Sequence, residues 1–241
     1  MKKAFAFLAV AGVAVICVLS AGAAAPAKLT GSVKLEGPAP KRTPISMAKE
    51  PVCAAKHGSS PALSEDVVTD SAGNLQNVVV YVSAGLADSP AAIPPEPVVI
   101  TQDGCSYKPH VLALQRNQKL RIVNADQTSH NIHPMPESNR EWNKSQPPGA
   151  PAFEETFARE EVGIPVKCNV HPWMRAYVSV FKHPYFAVTN ESGAFSIANL
   201  PPGTYTISAW QVKLGTISQS VTVGAGEGKT IQFAFKARPG M

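Results

Sequence analysis

The sequence has 241 residues, of which 16% are charged and 44% are hydrophobic, and its formal net charge is +5. This composition excludes an intrinsically disordered chain, and because the 22 prolines and 17 glycines follow no period it also excludes a collagen-like one. The basic residues are dispersed along the chain, so we expect no nucleic-acid partner.

The first residues, 1–23, predict a signal peptide for export. Two lysines precede an uninterrupted apolar run over Ala4–Leu19, and Ala21 and Ala23 satisfy the small-x-small rule for cleavage. We therefore expect cleavage near Ala23/Ala24 and a periplasmic or secreted protein. The alternative is an uncleaved segment, in which case the protein would be attached to the membrane.

The rest of the chain predicts an all-β protein. Short β-branched and apolar runs are separated by turn residues, and no long amphipathic helical stretch is present. The polar or proline-rich stretches 40–61 and 135–151 are predicted to be loops that can each hold one helical turn. The predicted strands are Leu29–Leu35, Asn77–Val82, Val98–Thr101, Val111–Leu114, Lys119–Val123, Ile164–Lys167, Ala176–Phe181, Ala194–Ile197, Tyr205–Trp210, Ser218–Val223 and Thr230–Phe235.

The composition changes near residue 183. Beyond it, a Gly-x-Phe strand is followed by Leu200-Pro-Pro-Gly203 and a second strand with alternating apolar residues up to Trp210. This alternation is typical of half-buried antiparallel strands. The stretch resembles the carboxypeptidase regulatory-like domain, a small transthyretin-type β-sandwich. The resemblance implies a fold for residues 183–241 and almost nothing about function.

Cleavage would leave three cysteines, Cys53, Cys105 and Cys168, which is an odd number for an oxidising compartment. We predict a Cys53–Cys105 disulfide, whose loop of about 50 residues would stabilise the fold by roughly 4 kcal/mol in the chain-entropy model. The alternative is a zinc site in which His57 and His110 join these two cysteines. Zinc sites of that type mostly belong to reducing compartments, so we favour the disulfide.

Cys168, His171 and Met174 lie three residues apart on one predicted loop between two strands. A thiolate, an imidazole and a thioether that surround one ion favour copper, with methionine as a long axial ligand. His130 or His133, which lie upstream in the sequence, can supply a second strong imidazole ligand. Residues three apart on a strand face opposite sides, so only one of these two histidines is expected to bind the metal.

The histidine motif and the cysteine loop together resemble the copper-site pattern of the cupredoxins. Asn124-x-Asp126 is followed by His130-Asn131, and then by the Cys-x2-His-x2-Met loop at 168–174. The similarity is greatest to amicyanin, with plastocyanin as a related pattern, and it covers about residues 98–182. It implies a Greek-key β-sandwich that binds one type 1 copper.

The same resemblance implies which histidine is the ligand. The family places its ligand immediately before Asn, which selects His130 over His133. Asn131 is then expected to hydrogen-bond across the two ligand loops, as residues around metal ligands commonly do. The His133 side chain would lie near the surface, where a partner could dock. The predicted metal ligands are therefore His130, Cys168, His171 and Met174.

The predicted organisation is a signal peptide over 1–23, a cupredoxin-like copper domain over 24–182 with its core at about 98–182, and a carboxypeptidase regulatory-like domain over 183–241. The sequence leaves open whether residues 28–97 complete the sheet of the copper domain or pair with the C-terminal domain. The resemblance implies an exported type 1 copper protein that carries single electrons between redox partners such as a cytochrome or a dehydrogenase. The alternatives are a copper-binding or delivery module, and a structural β-sandwich. No catalytic constellation has a recognisable spacing, so we expect no enzymatic activity.

Overall fold

The structure, a computed structural model, describes residues 1, 24–88 and 91–238. The predicted signal peptide lies outside the described residues except for Met1, so its cleavage stays a prediction. Within the described residues, no helix has both the length and the apolar character that a membrane span requires.

Nearly all of the regular elements in the described part of the chain are strands. Its elements are β1 (Ala27–Glu36), α1 (Pro51–His57), β2 (Val79–Ala84), β3 (Val98–Gln102), β4 (Tyr107–Lys108), β5 (Val111–Gln115), β6 (Leu120–Asn124), β7 (His130–Pro134), β8 (Lys144–Gln146), β9 (Phe153–Glu155), β10 (Glu161–Lys167), β11 (Arg175–Phe181), β12 (Phe186–Val188), β13 (Ala194–Leu200), β14 (Gly203–Gln211), β15 (Gly215–Val223) and β16 (Gly228–Lys236).

The predicted fold class is confirmed, and every predicted strand overlaps an observed one. Of the two stretches predicted to be loops with one helical turn each, only the first contains a helix. The stretch 40–61 contains the short helix α1, which begins at Pro51, where the absent backbone N–H costs no hydrogen bond. The stretch 135–151 contains no helical turn but the short strand β8, which pairs with β7.

The first sandwich contains the residues from which the copper site was predicted. Its two sheets have the strand orders β5-β11-β10-β7-β8 and β4-β3-β6-β9. Along β6 the buried side chains alternate with outward ones, as expected for a strand that covers a core on one face. The core is lined by large apolar side chains from both sheets, including Ile100, Leu114, Leu120, Ile122, Ile132, Ile164 and Val178.

The second sandwich contains the C-terminal strands together with two strands from the beginning of the chain. Its sheets have the orders β13-β1-β16 and β12-β2-β14-β15. β1 lies between β13 and β16, and Gly31 permits this because a Cβ atom there would come within 2.2 Å of the Ile231 carbonyl oxygen and 2.6 Å of the Phe195 ring. The strands of the first sandwich, β3 to β11, therefore lie between β2 and β12 in the sequence.

The predicted boundaries place residues 24–97 with the copper domain, but the sequence left open whether residues 28–97 pair with the C-terminal domain. β1 and β2 instead pair with C-terminal strands, β1 in parallel with β16 and β2 antiparallel to β12 and β14. The physical reason is that β13 and β16 form a sheet only through β1, and their apolar faces need Leu29, Val33 and Val80 to complete a common core.

The two sandwiches meet around a small apolar cluster of Val79, Val111 and Phe181. His183, the first residue of the predicted C-terminal domain, lies at this junction, where its Nε2–H donates to the Val82 carbonyl oxygen at 2.9 Å. Its Nδ1 accepts a bond from the Tyr185 amide at 3.2 Å. Burial is the main reason why the pKa of His183 is lowered, so the ring is neutral and both of its nitrogens have partners.

Candidate metal centre

A tight turn between β6 and β7 positions the first histidine. The Asn124 side chain accepts a hydrogen bond from the Asp126 amide at 3.0 Å and donates to the Thr128 carbonyl oxygen at 2.9 Å. Asparagine is suited to this task because its side chain both donates and accepts. The turn ends at His130, the first residue of β7, which is fully buried.

The loop between β10 and β11 positions the cysteine and the second histidine. The Cys168 amide donates to the Met174 carbonyl oxygen at 3.2 Å, and the Met174 amide donates to the His171 carbonyl oxygen at 2.9 Å. The loop is therefore closed on itself, with the His171 amide 3.4 Å from the Cys168 sulfur. These bonds turn all three side chains inward, and each of the three residues is at least 98% buried.

The two loops bring one cysteine and two histidines together. The Nδ1 atoms of His130 and His171 are 2.9 Å apart, and the Cys168 Sγ lies 3.9 Å from the Nδ1 of His171. The ligand atoms of these three residues all lie within 4.8 Å of one another. Two imidazole nitrogens and one sulfur form the strong part of a copper donor set, and Met174 lies buried in the same core.

Asp126 orients His130 from the opposite side of the ring. The His130 Nε2–H donates to Asp126 Oδ2 at 2.9 Å, which leaves Nδ1 directed toward His171. The carboxylate also accepts bonds from the backbone amides of Gly104 and Cys105, at 2.9 and 2.7 Å. Sequence reasoning gave Asp126 no separate role, although its place in the Asn124-x-Asp126 motif and its spacing of four residues from His130 were the available signals.

Electrostatics favours the metal-binding forms of Cys168 and His171 and the protonated form of His130. Burial alone would raise the pKa of Cys168, but hydrogen bonds from His130 and from backbone amides outweigh it and lower the pKa. Burial would lower the pKa of His130, but its bonds to Cys168 and Asp126 raise it. Burial and the nearby His130 lower the pKa of His171. The cluster therefore stabilises a thiolate, which is the form of cysteine that binds metals.

Asn131 links the two loops, as the resemblance implied. Its Oδ1 accepts from the Asn169 amide at 2.6 Å and from the Cys168 thiol at 3.4 Å. Tyr107, which sequence reasoning did not select, donates its hydroxyl to the Asn131 carbonyl oxygen at 2.5 Å. Burial, followed by the nearby charge of Cys168, strongly raises the pKa of Tyr107, so this phenol stays protonated.

His133 does not join the cluster. It is on the same strand as His130, but its Nε2 contacts Glu141 Oε1 at 2.5 Å and its Nδ1 lies 3.3 Å from Asn169 Oδ1. The side chain of His133 remains 13% exposed, whereas that of His130 has no exposed area. This is the opposite orientation that strand geometry requires of residues three positions apart.

A cap closes the site on the His171 side. The cap is the helix α1 together with the Cys53–Cys105 disulfide, which joins it to the loop before β4. Cys53 Sγ lies 3.6 Å from His171 Nε2, and the Trp173 ring packs on His171 with a centroid separation of 5.2 Å. The sequence pattern did not predict that α1 would cover the site.

The alternative zinc arrangement is not formed, because the two cysteines it requires are joined to each other. The two histidines it requires are engaged elsewhere. His57 Nε2 is 2.8 Å from the Gly104 carbonyl oxygen, and His110 Nδ1–H donates to the Arg175 carbonyl oxygen at 3.0 Å.

Comparison with known families identifies part of the second sandwich. Residues 170–236 match the carboxypeptidase regulatory-like domain. The match begins inside the Cys168–Met174 loop, upstream of the predicted boundary at residue 183. The strands β1 and β2, which complete the sandwich around this domain, lie outside the match because the first sandwich separates them from it in sequence. No curated protein matches the chain.

Solved structures to which the chain is similar include a purple cupredoxin, amicyanin and a copper-containing nitrite reductase. A purple cupredoxin from Nitrosopumilus maritimus shares 22% identity at a TM-score of 0.30, over 34% of this chain and 98% of that one. A mutant of amicyanin with Cu(I) shares 19% identity at a TM-score of 0.31, over 42% and 97% of the two chains. A copper-containing nitrite reductase from Thermus scotoductus SA-01 shares 19% identity at a TM-score of 0.34, over 41% of this chain but only 25% of the reductase.

Proposed function

We propose that this chain is an exported type 1 copper protein that carries single electrons between redox partners, such as a cytochrome or a dehydrogenase. The observation that carries the proposal is the convergence of His130 Nδ1, His171 Nδ1 and Cys168 Sγ in one buried cluster. These are the soft and borderline donors that copper prefers, and the buried Met174 follows on the same loop. Copper bound by these residues would supply one-electron oxidation and reduction.

The surrounding residues would hold the ligands in nearly the same positions in both oxidation states. Asp126 fixes the ring of His130, and Asn131 fixes the position of the Cys168 loop against β7. The four predicted ligands are at most 2% exposed, so solvent has little access to them. A ligand set that is already in place needs little rearrangement on electron transfer, which suits a carrier better than an enzyme.

Burial also favours an electron carrier over a copper-delivery module. A protein that hands over its metal must expose at least one ligand to the acceptor, but His130, Cys168, His171 and Met174 are all at most 2% exposed. A purely structural β-sandwich does not account for the cluster either. A thiol, two imidazoles and a carboxylate cost stability when they are buried, and an apolar core would serve such a protein better.

The experiment that tests electron transfer against delivery uses the mature, copper-loaded protein. We expect a reversible one-electron voltammetric wave, and electron exchange with a small soluble c-type cytochrome at about 10⁵ M⁻¹ s⁻¹ or faster, measured by stopped-flow absorbance. Copper should stay with the protein when a competing Cu(I) chelator is added over the same period. Rapid loss of copper to the chelator without electron exchange would instead support delivery.

The axial position gives a graded prediction. Met174→Leu should preserve the visible colour but raise the reduction potential, because loss of a thioether donor disfavours the oxidised ion more than the reduced one. Leucine has a similar volume, so we expect a loss of no more than about 1.5 kcal/mol in the free energy of unfolding. Voltammetry measures the potential and urea titration the stability. An unchanged potential would exclude Met174 as a ligand.

A further inference from the structure

A second group of potential metal ligands lies on the other side of His171. The Sγ atoms of Cys53 and Cys105 and a ring nitrogen of His171 all lie within 4.8 Å of one another, and all three residues are buried. The nitrogen that faces Cys53 is Nε2, whereas the proposed copper site uses Nδ1 of the same ring. Each nitrogen can therefore serve a different ion, and both are bound at once only when the ring is an imidazolate that has released its second proton.

The separation between sulfur and nitrogen is the one that a tetrahedral ion requires. Cys53 Sγ and His171 Nε2 are 3.6 Å apart. A metal–sulfur bond of about 2.3 Å and a metal–nitrogen bond of about 2.05 Å, at a tetrahedral angle, place these two ligand atoms about 3.6 Å apart. Only the bond between the two sulfurs prevents both of them from binding an ion at this position.

We propose that reduction of the Cys53–Cys105 disulfide creates a second metal site, in which Cys53, Cys105 and His171 Nε2 bind a thiophilic d¹⁰ ion such as Zn(II). A dithiol reductant supplies the two electrons and two protons: the sulfur–sulfur bond of the protein breaks, two thiols form, and the reductant becomes a disulfide. On binding Zn(II), both thiols release their protons and the histidine contributes a neutral nitrogen.

The cap is held in place by contacts that do not depend on the disulfide. Lys56 Nζ lies 3.4 Å from Asp126 Oδ1, and His57 Nε2 lies 2.8 Å from the Gly104 carbonyl oxygen. The Trp173 Nε1–H also donates to the Cys105 carbonyl oxygen at 3.1 Å. The two thiols should therefore stay beside His171 after reduction instead of separating with their loops.

This inference extends the proposed function, since the two sites share the His171 ring, but its test does not need the copper site. Cys168→Ser removes the thiolate ligand of the proposed copper site and keeps Cys53, Cys105 and His171, the ligands of the proposed second site. The mature variant is reduced with dithiothreitol, freed of reductant by gel filtration under nitrogen, and titrated with Zn(II) by isothermal calorimetry. Zn(II) is the suitable probe because it cannot reoxidise the thiols.

We expect the reduced Cys168→Ser chain to bind one Zn(II) and the oxidised chain to bind none at this site. Adding His171→Ala should weaken Zn(II) binding by at least about tenfold. Removing a residue that only orients a metal ligand lowers metal affinity by about that much, and removing the ligand itself should lower it at least as far. Adding His133→Ala is the matched control and should change nothing. No binding after reduction, or equal binding with and without His171, would overturn the proposal. The blue spectrum of the oxidised wild-type protein reports separately on the copper site.

Discussion

Cys168→Ser is expected to abolish the intense visible absorption of the copper-loaded protein while the chain still folds. The colour of a type 1 site arises from charge transfer between the cysteine thiolate and oxidised copper, so removing the sulfur removes the donor. Serine is similar in shape to cysteine, and its hydroxyl can keep the polar contacts that Cys168 makes with Asn131 and His171. Absorption spectra of the wild-type and variant proteins with one equivalent of Cu(II) measure the effect.

The control for this experiment is a measurement that shows whether the variant is folded. Near-ultraviolet circular dichroism should be the same for the wild-type protein and the variant, because the buried aromatic side chains Tyr107 and Phe157 keep their packing. A variant that is folded and retains the full visible band would contradict the assignment of Cys168 as a copper ligand.

His130→Ala is expected to produce the second large effect, the loss or gross alteration of the same band. The substitution opens a position among the strong ligands, and we expect copper affinity to fall by at least about 100-fold. The fold should survive, because Asp126 keeps its bonds from the Gly104 and Cys105 amides and its contact with Lys56. A chelator competition measures affinity, and the absorption spectrum reports on geometry.

His133→Ala is the matched control for His130→Ala. It removes an imidazole from the same strand, but that imidazole contacts Glu141 outside the cluster. We expect an unchanged spectrum and, at most, slower electron exchange with a partner. A strong effect at His133 with none at His130 would mean that the ligand assignment is displaced by three residues along β7.

Much of the fold could be predicted from local pattern. The strands were recognised by their β-branched and apolar runs and by the turn residues between them, as in β6 and β14. The residues of the predicted copper site are close in sequence within each of two short segments, 130–131 at the start of β7 and 168–174 after β10. One pairing of segments was therefore enough to predict the cluster, and the structure brings His130, Cys168 and His171 together.

The features that were not predicted depend on contacts between residues that are distant in sequence. β1 pairs with β16 across almost the whole chain, and nothing in the local pattern of Ala27–Glu36 names that partner. The cap over His171 was not predicted for the same reason. Cys53 could be paired with Cys105 by counting cysteines, but the 3.6 Å contact between Cys53 and His171 follows from how two loops pack in three dimensions.

Titration of the metal-free wild-type protein with Cu(II), followed by visible absorption, tests the central claim most directly. The cluster of His130, Cys168 and His171 predicts an intense band that grows linearly and saturates at one copper per chain. Absence of the band in the folded protein with a free Cys168 thiol, or saturation without any thiolate-to-copper absorption, would contradict a type 1 copper centre in this sandwich.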